Sequence, residues 1–227
     1  MRGFAPTILA LDTSTHAIGI ALMDNAQVHC EHTWLSQDYH TVELAPMVEQ
    51  ALLRSQIQKE HLCALAVAIG PGSFTGLRIG LALAKGMALA LHIPIIGIPT
   101  LDILAASQPK QETNLLCLLR AGRTRLAMRE YSLQSQGRIA KGDYEVHPIQ
   151  DILDKITDRT WICGELNPEE RQILAGNPFV MLASPPQCVR RPAQLAALAW
   201  QRWQQGKFDD PISLSPIYLH YNDPISI

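Results

Sequence analysis

The stretch Gly70-Pro71-Gly72-Ser73-Phe74-Thr75-Gly76-Leu77-Arg78-Ile79-Gly80 stands between an apolar run, Leu62 to Ile69, and a long segment of helical composition, Thr75 to Leu91. A buried strand that turns on glycines into a helix leaves N–H groups at the helix start, where an anion can sit. The segment is not a P-loop, because no Gly-Lys-Ser/Thr ending follows. It is not a dinucleotide fingerprint either, because the glycine spacing differs and no ribose-binding acid stands on a second strand. On local chemistry alone, a structural strand-to-helix turn capped by Ser73 or Thr75 is the simpler reading.

The helix that follows carries more information. Gly76, Gly80, Ala84 and Ala88 recur every four residues and form a ridge with almost no side chain, while Leu77, Leu81, Leu83, Met87, Leu89 and Leu91 cover much of the rest. Arg78 and Lys85 are its charged residues, seven apart and so on one side. Such a helix lies either at the centre of a core or close against another helix. A second amphipathic helix is expected over Thr41 to Arg54, where Leu44, Met47, Val48 and Ala51 fall at i, i+3, i+4 and i+7. We expect the two helices to form a subunit contact. It would draw on Val48, Ala51 and Leu52 from the first, and on Gly72, Ser73, Phe74, Thr75, Gly76, Arg78, Ile79, Gly80, Leu83, Ala84 and Met87 from the second segment.

Working outward, residues 1–106 read as three strands (Thr7 to Leu11, Ala17 to Met23, Val28 to Leu35), helix, strand, helix, a strand at Ile95 to Ile98 and a short helix at Thr100 to Ala106. After a polar linker, Ser107 to Asn114, the order restarts. A hairpin around Arg120-Ala121-Gly122-Arg123 and a third strand near Arg138 to Val146 lead to a helix at Ile149 to Ile156 and a strand at Trp161 to Cys163. A helix near Pro168 to Ala175 and a strand at Phe179 to Leu182 complete the set. The expectation is two lobes, 1–106 and 107–227, the second ending in a helix from Ala193 to Gln205 and an extended tail from Asp209.

The 227 residues are 47% hydrophobic, with a formal net charge of −2. That composition excludes a disordered chain and disfavours a stand-alone nucleic-acid binder, whose affinity would need a basic excess. The balance is uneven: residues 1–106 hold 5 basic and 8 acidic groups, against 14 and 13 in the remainder. So charge-poor a first half implies a large core or a surface covered by another chain. Five scattered cysteines without a Cys-x-x-Cys pair, and an N-terminus without a long apolar region, point to a reducing cytoplasm. The longest apolar stretch, Ile79 to Leu91, is 13 residues with Lys85 inside, short for a membrane span.

Three segments together are similar to a known family. Leu9-Ala10-Leu11-Asp12-Thr13-Ser14, the glycine-rich stretch from Gly70 to Gly80, and Pro94-Ile95-Ile96-Gly97-Ile98 closely resemble the TsaB (YeaZ) family; Pro216-Ile217-Tyr218-Leu219 resembles its C-terminal signature. The resemblance is strong over residues 7–106 and weak beyond. It implies an α/β, actin-like ATPase fold of two lobes, each a mixed sheet flanked by helices. It also implies a non-catalytic relative of the threonylcarbamoyl transferase TsaD that pairs with TsaD through the first lobe. With the ATPase TsaE, the pair supports formation of threonylcarbamoyladenosine at position 37 of tRNA. The isolated chain would form a homodimer, and tRNA would be met only through the complex. No cofactor is required of this chain, although ATP or ADP at the partner interface is left open.

Catalytic residues are not expected. TsaD holds its metal with a His-x-x-x-His pair whose positions are Thr100 and Leu104 here, neither an imidazole. His40 has Leu44, not a second ligand, four residues on. Asp12-Thr13-Ser14 occupies the turn that binds phosphate and metal in active members of the wider fold, and it is retained as a vestigial nucleotide site. Near the second phosphate loop, relatives show Asp-Ala-Arg where this chain has Arg120-Ala121-Gly122, a reversal of charge. Arg120, Arg123, Arg125 and Arg129 form a basic cluster that reads by default as a solvated hairpin, and Gly164-Glu165 is a weak echo of an adenosine-binding turn. The rival reading is a small ATPase or sugar-kinase-like enzyme using Asp12 and the glycine loop.

Overall fold

The computed structural model describes residues 5–36, 40–135 and 137–219; the His40 side chain, the first four residues and the end of the tail, including Pro224, lie outside the described part. Two compact units emerge. One runs up to Ile103 and resumes over Arg190–Pro216, and the other is Leu104–Val189 together with, among the described residues, 217–219.

The first unit contains β1 (Thr7–Asp12), β2 (Ala17–Met23), β3 (Val28–Leu35), α1 (His40–Arg54), β4 (Leu62–Ala68), α2 (Phe74–Leu91), β5 (Ile95–Ile98) and the start of α3 (Thr100–Ala106). Its sheet has the order β3-β2-β1-β4-β5, antiparallel on the hairpin side and parallel across β1, β4 and β5. In the second unit are β6 (Asn114–Arg120), β7 (Arg125–Gln134), β8 (Gly137–Pro148), α4 (Ile149–Asp154), β9 (Thr160–Gly164), α5 (Pro168–Ala175) and β10 (Val180–Leu182). Read from its β8 edge, that sheet is β8-β7-β6-β9-β10 with the same sequence of antiparallel and parallel pairs. One topology thus occurs twice, which is the actin-like ATPase plan.

β1 is buried along its whole length, so its residues read as a continuous apolar run rather than an alternation. The period of two is still present in the packing. Leu9 and Leu11 join Ile18, Ile20, Leu44, Val48, Leu81 and Ala84 in one cluster beneath α1 and α2. Ile8 and Ala10 point the other way, with Ala21, Ala64 and Ala66, against α6 (Pro192–Gln204). The alanines on that face leave room for α6, which supplies Leu195, Ala196, Ala199 and Trp200.

This placement of α6 corrects the expected second lobe of 107–227, because the stretch Arg190–Pro216 belongs to the first unit, while the division at Ile103 falls close to the expected 106/107. The helix follows the second unit in sequence but packs on the first unit's sheet. It also changes the meaning of the charge imbalance. Part of the cover of the charge-poor first half comes from the far end of the chain, which brings Arg190, Arg191 and Arg202 with it: Arg191 pairs with Glu31, and Arg202 donates to the Gly97 carbonyl. The tail after α6 is not simply extended. Asp209 bridges to Ile95 on the β5 edge, and Asp210 accepts from the N–H groups of Ile212 and Ser213 in a turn. α2, at 18 residues, is longer than the apolar stretch read from sequence and is apolar enough by length and composition to cross a membrane; here its inward face packs on β4 and β1.

The Asp209 carboxylate closes the open edge of β5, with Oδ2 accepting the Gly97 N–H at 2.7 Å and Oδ1 accepting from Arg202 Nη2 at 3.0 Å. Asp209→Ala leaves both donors without that partner, and urea unfolding should show a loss of about 1–2 kcal/mol.

Candidate functional site

β1 delivers Asp12 to the start of a turn whose backbone is in direct contact with the first turns of α2. Thr13 Oγ1 donates to the Gly76 carbonyl at 2.7 Å, and the Ser73 N–H donates to the Ser14 carbonyl at 2.7 Å. The glycines make this approach feasible. A Cβ on Gly72, Gly76 or Gly80 would lie 2.2 Å from the Ser14 carbonyl oxygen, the Thr13 carbonyl oxygen and Thr13 Oγ1 respectively. Ser73, not Thr75, caps the helix, its hydroxyl accepting the Gly76 N–H at 3.2 Å. Behind the turn, Gly70 has φ +107°, and it exchanges two hydrogen bonds with Thr100, whose hydroxyl accepts the Gly70 N–H at 3.1 Å and whose N–H donates to the Gly70 carbonyl at 2.7 Å. Thr100 therefore has a structural task in holding this turn. Among the described residues, no group of three or more His, Cys, Asp or Glu side chains is placed to hold a metal.

The small-residue ridge faces inward, which corrects the expected interface. Gly76, Gly80 and Ala84 are buried in the first unit's own core, as are Val48 and Ala51 of α1, and Gly72 lies against Ser14. An all-round apolar helix has one side that its own sheet consumes, and spacing alone does not say which side that is. The remaining expected residues lie on the outward part or its flanks. Ser73, Phe74, Thr75 and Arg78 are exposed, and Leu52, Ile79, Leu83 and Met87 are half-buried. Arg78 stands 5.1 Å from the ring centre of Phe74. Beside exposed Glu49, Arg54 and Arg78, the outward side carries large apolar side chains, with Leu53 76%, Leu89 74% and Phe74 57% exposed. Between α1 and α2 runs a groove of about 360 Å³ lined by Ala45, Val48, Leu52, Leu83, Met87 and Ala90 among others.

Asp12 does not present a carboxylate to solvent. Its Oδ1 accepts the Ser14 N–H at 2.9 Å and the Ser14 hydroxyl, and its Oδ2 accepts from Arg190 Nε at 2.8 Å. Both side chains of that ion pair are 3% exposed. In the second unit, Arg120 is likewise engaged, in a two-pronged pair with Glu170 at 2.7 Å for each contact. Glu170 also accepts the Asn167 N–H, while Asn167 Oδ1 accepts the Glu170 N–H, a reciprocal cap at the start of α5. Burial acts to raise the Glu170 pKa, but the Arg120 guanidinium and the Asn167 N–H outweigh it and hold the carboxyl below its ordinary range. The charge reversal at Arg120 is thus answered within its own unit. Arg129 lies over the Tyr144 ring at 4.5 Å and donates to the Gly142 carbonyl, so the basic cluster is partly consumed. Gly164, at φ +152°, allows β9 to pass within touching distance of the Leu118 carbonyl.

The chain matches the family model described as "TsaD: tRNA N6-adenosine threonylcarbamoyltransferase" over residues 34–160, more than half its length. It is 30% identical over 159 residues to the protein named tRNA threonylcarbamoyladenosine biosynthesis protein TsaB from Buchnera aphidicola subsp. Baizongia pistaciae, covering 66% of this chain and 69% of that one. The chain belongs to the TsaB (YeaZ) family. The protein of the same name from Escherichia coli is 37% identical over 132 residues, 57% of each chain, and that from Bacillus subtilis 42% over 101 residues, 44% of each. The matches thus span about half the length of these two relatives. The solved structure titled "YeaZ from Pseudomonas aeruginosa" superposes with a TM-score of 0.77 at 25% identity, covering 94% of this chain and all of that one.

Arg190 and Glu170 were not among the residues singled out from sequence. The Asn167-Pro168-Glu169-Glu170 spacing of a reciprocal cap was legible, but nothing local links Arg190 to an aspartate 178 residues away.

Two glycines of α2 provide an internal comparison. Gly80→Ala must displace the Thr13 hydroxyl from the Gly76 carbonyl, and should cost about 1–3 kcal/mol despite the better helix propensity of alanine. Gly86→Ala, with nothing within 4 Å of its Cβ, should stabilise by up to about 1 kcal/mol. Chemical denaturation of the isolated chain reads both. For Glu170, a folded pKa held below the unfolded value makes its contribution complete above the unfolded value and lost as pH falls through the folded one. Urea midpoints across the acid range should therefore fall less steeply with decreasing pH in Arg120→Met than in the parent.

Proposed function

We propose that this chain is a non-catalytic scaffold subunit in the formation of threonylcarbamoyladenosine on tRNA. It would pair with the transferase TsaD and, with it, create a docking surface for the ATPase TsaE. The observation that carries the reading is the outward face of α1 and α2: an apolar surface with a groove between the helices, on the half of the chain where the similarity to TsaB proteins was strongest. Burying such a face against a partner helix pair removes large aliphatic side chains from water, the dominant favourable term in association. The names of the relatives and the TsaD family model support the pathway. In the absence of TsaD the same face would pair with a second copy. tRNA would be reached only through the complex, in the cytoplasm, and any ATP or ADP would lodge at the partner interface rather than on this chain alone.

The pairing is tested on exposed positions, so that folding is spared. Ala45 and Ala90 line the groove and are exposed. The double variant Ala45→Glu/Ala90→Glu places two charges on a face that must be desolvated. It should keep its circular dichroism and melting profile, yet bind TsaD at least ~10-fold more weakly, which corresponds to about 1.4 kcal/mol. In reconstitution with TsaD, TsaE and the enzyme that makes the activated donor, omission of this chain should abolish modification. Unchanged TsaD binding by the double variant would remove the interface assignment. ATP turnover by the isolated chain that is lost in Asp12→Ala would replace the scaffold with the ATPase reading.

A further inference from the structure

The actin-like ATPase fold implies Mg-nucleotide at the turn after β1, and the residues present do not fit it. We propose that Arg190 is a built-in counter-cation for Asp12, standing where a divalent ion would have to bind and keeping this turn closed to Mg-nucleotide. Three oxygens converge on its guanidinium. Asp12 Oδ2 accepts from Nε at 2.8 Å, while Thr15 Oγ1 and the Ala17 carbonyl accept from Nη2 at 2.7 and 3.2 Å. A carboxylate, a hydroxyl and a carbonyl are the donor set of a hard cation, here spent on an arginine. The remaining carboxylate oxygen is held by Ser14. Mg²⁺ keeps several waters and prefers an octahedral shell, and a pair 3% exposed on each side offers no room for one. A second positive charge beside an already neutralised carboxylate would also be repelled.

The turn cannot readily open to admit one. It touches the backbone of Gly72, just before α2, and of Gly76 in the helix's first turn, and the Ser73 N–H is bonded to Ser14. Arg190 is itself delivered by a pinned segment: it is the first residue of the stretch that returns to this unit, Arg191 pairs with Glu31, the Ala193 N–H donates to Glu31 Oε1 at 3.0 Å, and Pro192 packs on Gly19. Each of these contacts lies within one unit. The arrangement therefore stands or falls apart from the pairing with TsaD.

Mn²⁺ is the probe, followed by electron paramagnetic resonance and water relaxation on the full chain, with melting curves in Mg²⁺ alongside. The parent should show no Mn²⁺ binding that depends on Asp12. Arg190→Met should melt lower, recover part of that loss when Mg²⁺ is added, and bind Mn²⁺ at least ~10-fold more tightly than the parent. Asp12→Asn/Arg190→Met, which removes both charges, should lose the cation response, and Arg190→Lys, which keeps a cation in place, should not gain it. Parent protein that binds Mn²⁺ or Mg-ATP in a manner abolished by Asp12→Asn overturns the proposal, as does a folded Arg190→Met that gains no cation binding. If Arg190→Met does not fold, the parent and Arg190→Lys titrations still decide.

Discussion

A helix can bring its backbone against a neighbouring turn only where it carries no side chains, and Gly72, Gly76 and Gly80 supply that bare edge at and after the start of α2. Through it the Thr13 hydroxyl reaches the Gly76 carbonyl, and the Ser73 N–H reaches the Ser14 carbonyl. β1 and α2 are thereby fixed to one another at a single turn, and the positions of β4, α1 and β5 follow from them. The same contact decides which side of α2 remains outside. Once the glycine edge is committed to the turn, Phe74, Arg78 and Leu89 point outward and become available to a partner.

The two turns at which the sequence suggested phosphate contacts each hold a pair of opposite charges from the protein itself. Asp12 is met by Arg190 in the first unit, and Arg120 by Glu170 in the second. The pairs differ in kind. The first is buried, so loss of either partner would leave an uncompensated charge where water cannot reach it. The second is partly exposed and doubles as the cap of α5, which makes it a local fastening at the mouth of a hairpin. In both cases the charge is balanced by a partner within the same unit.

The strands and helices were largely legible, since continuous apolar runs mark β1 and β4 and a period near four marks α1 and α2. The expected interface residues on these two helices do not share one face. Val48, Ala51, Gly76, Gly80 and Ala84 are inside, and Leu53, Leu89 and the groove residues Ala45 and Ala90 are the outward ones. A helix apolar on every side has no pattern from which its buried face can be read. The uneven charge suggested a covered surface, yet one cover turned out to be α6, because a sequence divided at residue 106 does not show where the chain will return.

By itself, the sequence determined the element types, the repeated strand–helix order and the family, because these rest on periodicity and on local motifs such as Gly70 to Gly80. Only the tertiary structure decided that α6 closes the first sheet, that Thr100 serves Gly70, and that Arg190 neutralises Asp12 from 178 residues away. Hydrogen bonds and ion pairs act over a few ångströms in space and carry no signature along the chain. Their partners become visible only once the backbone has brought them together.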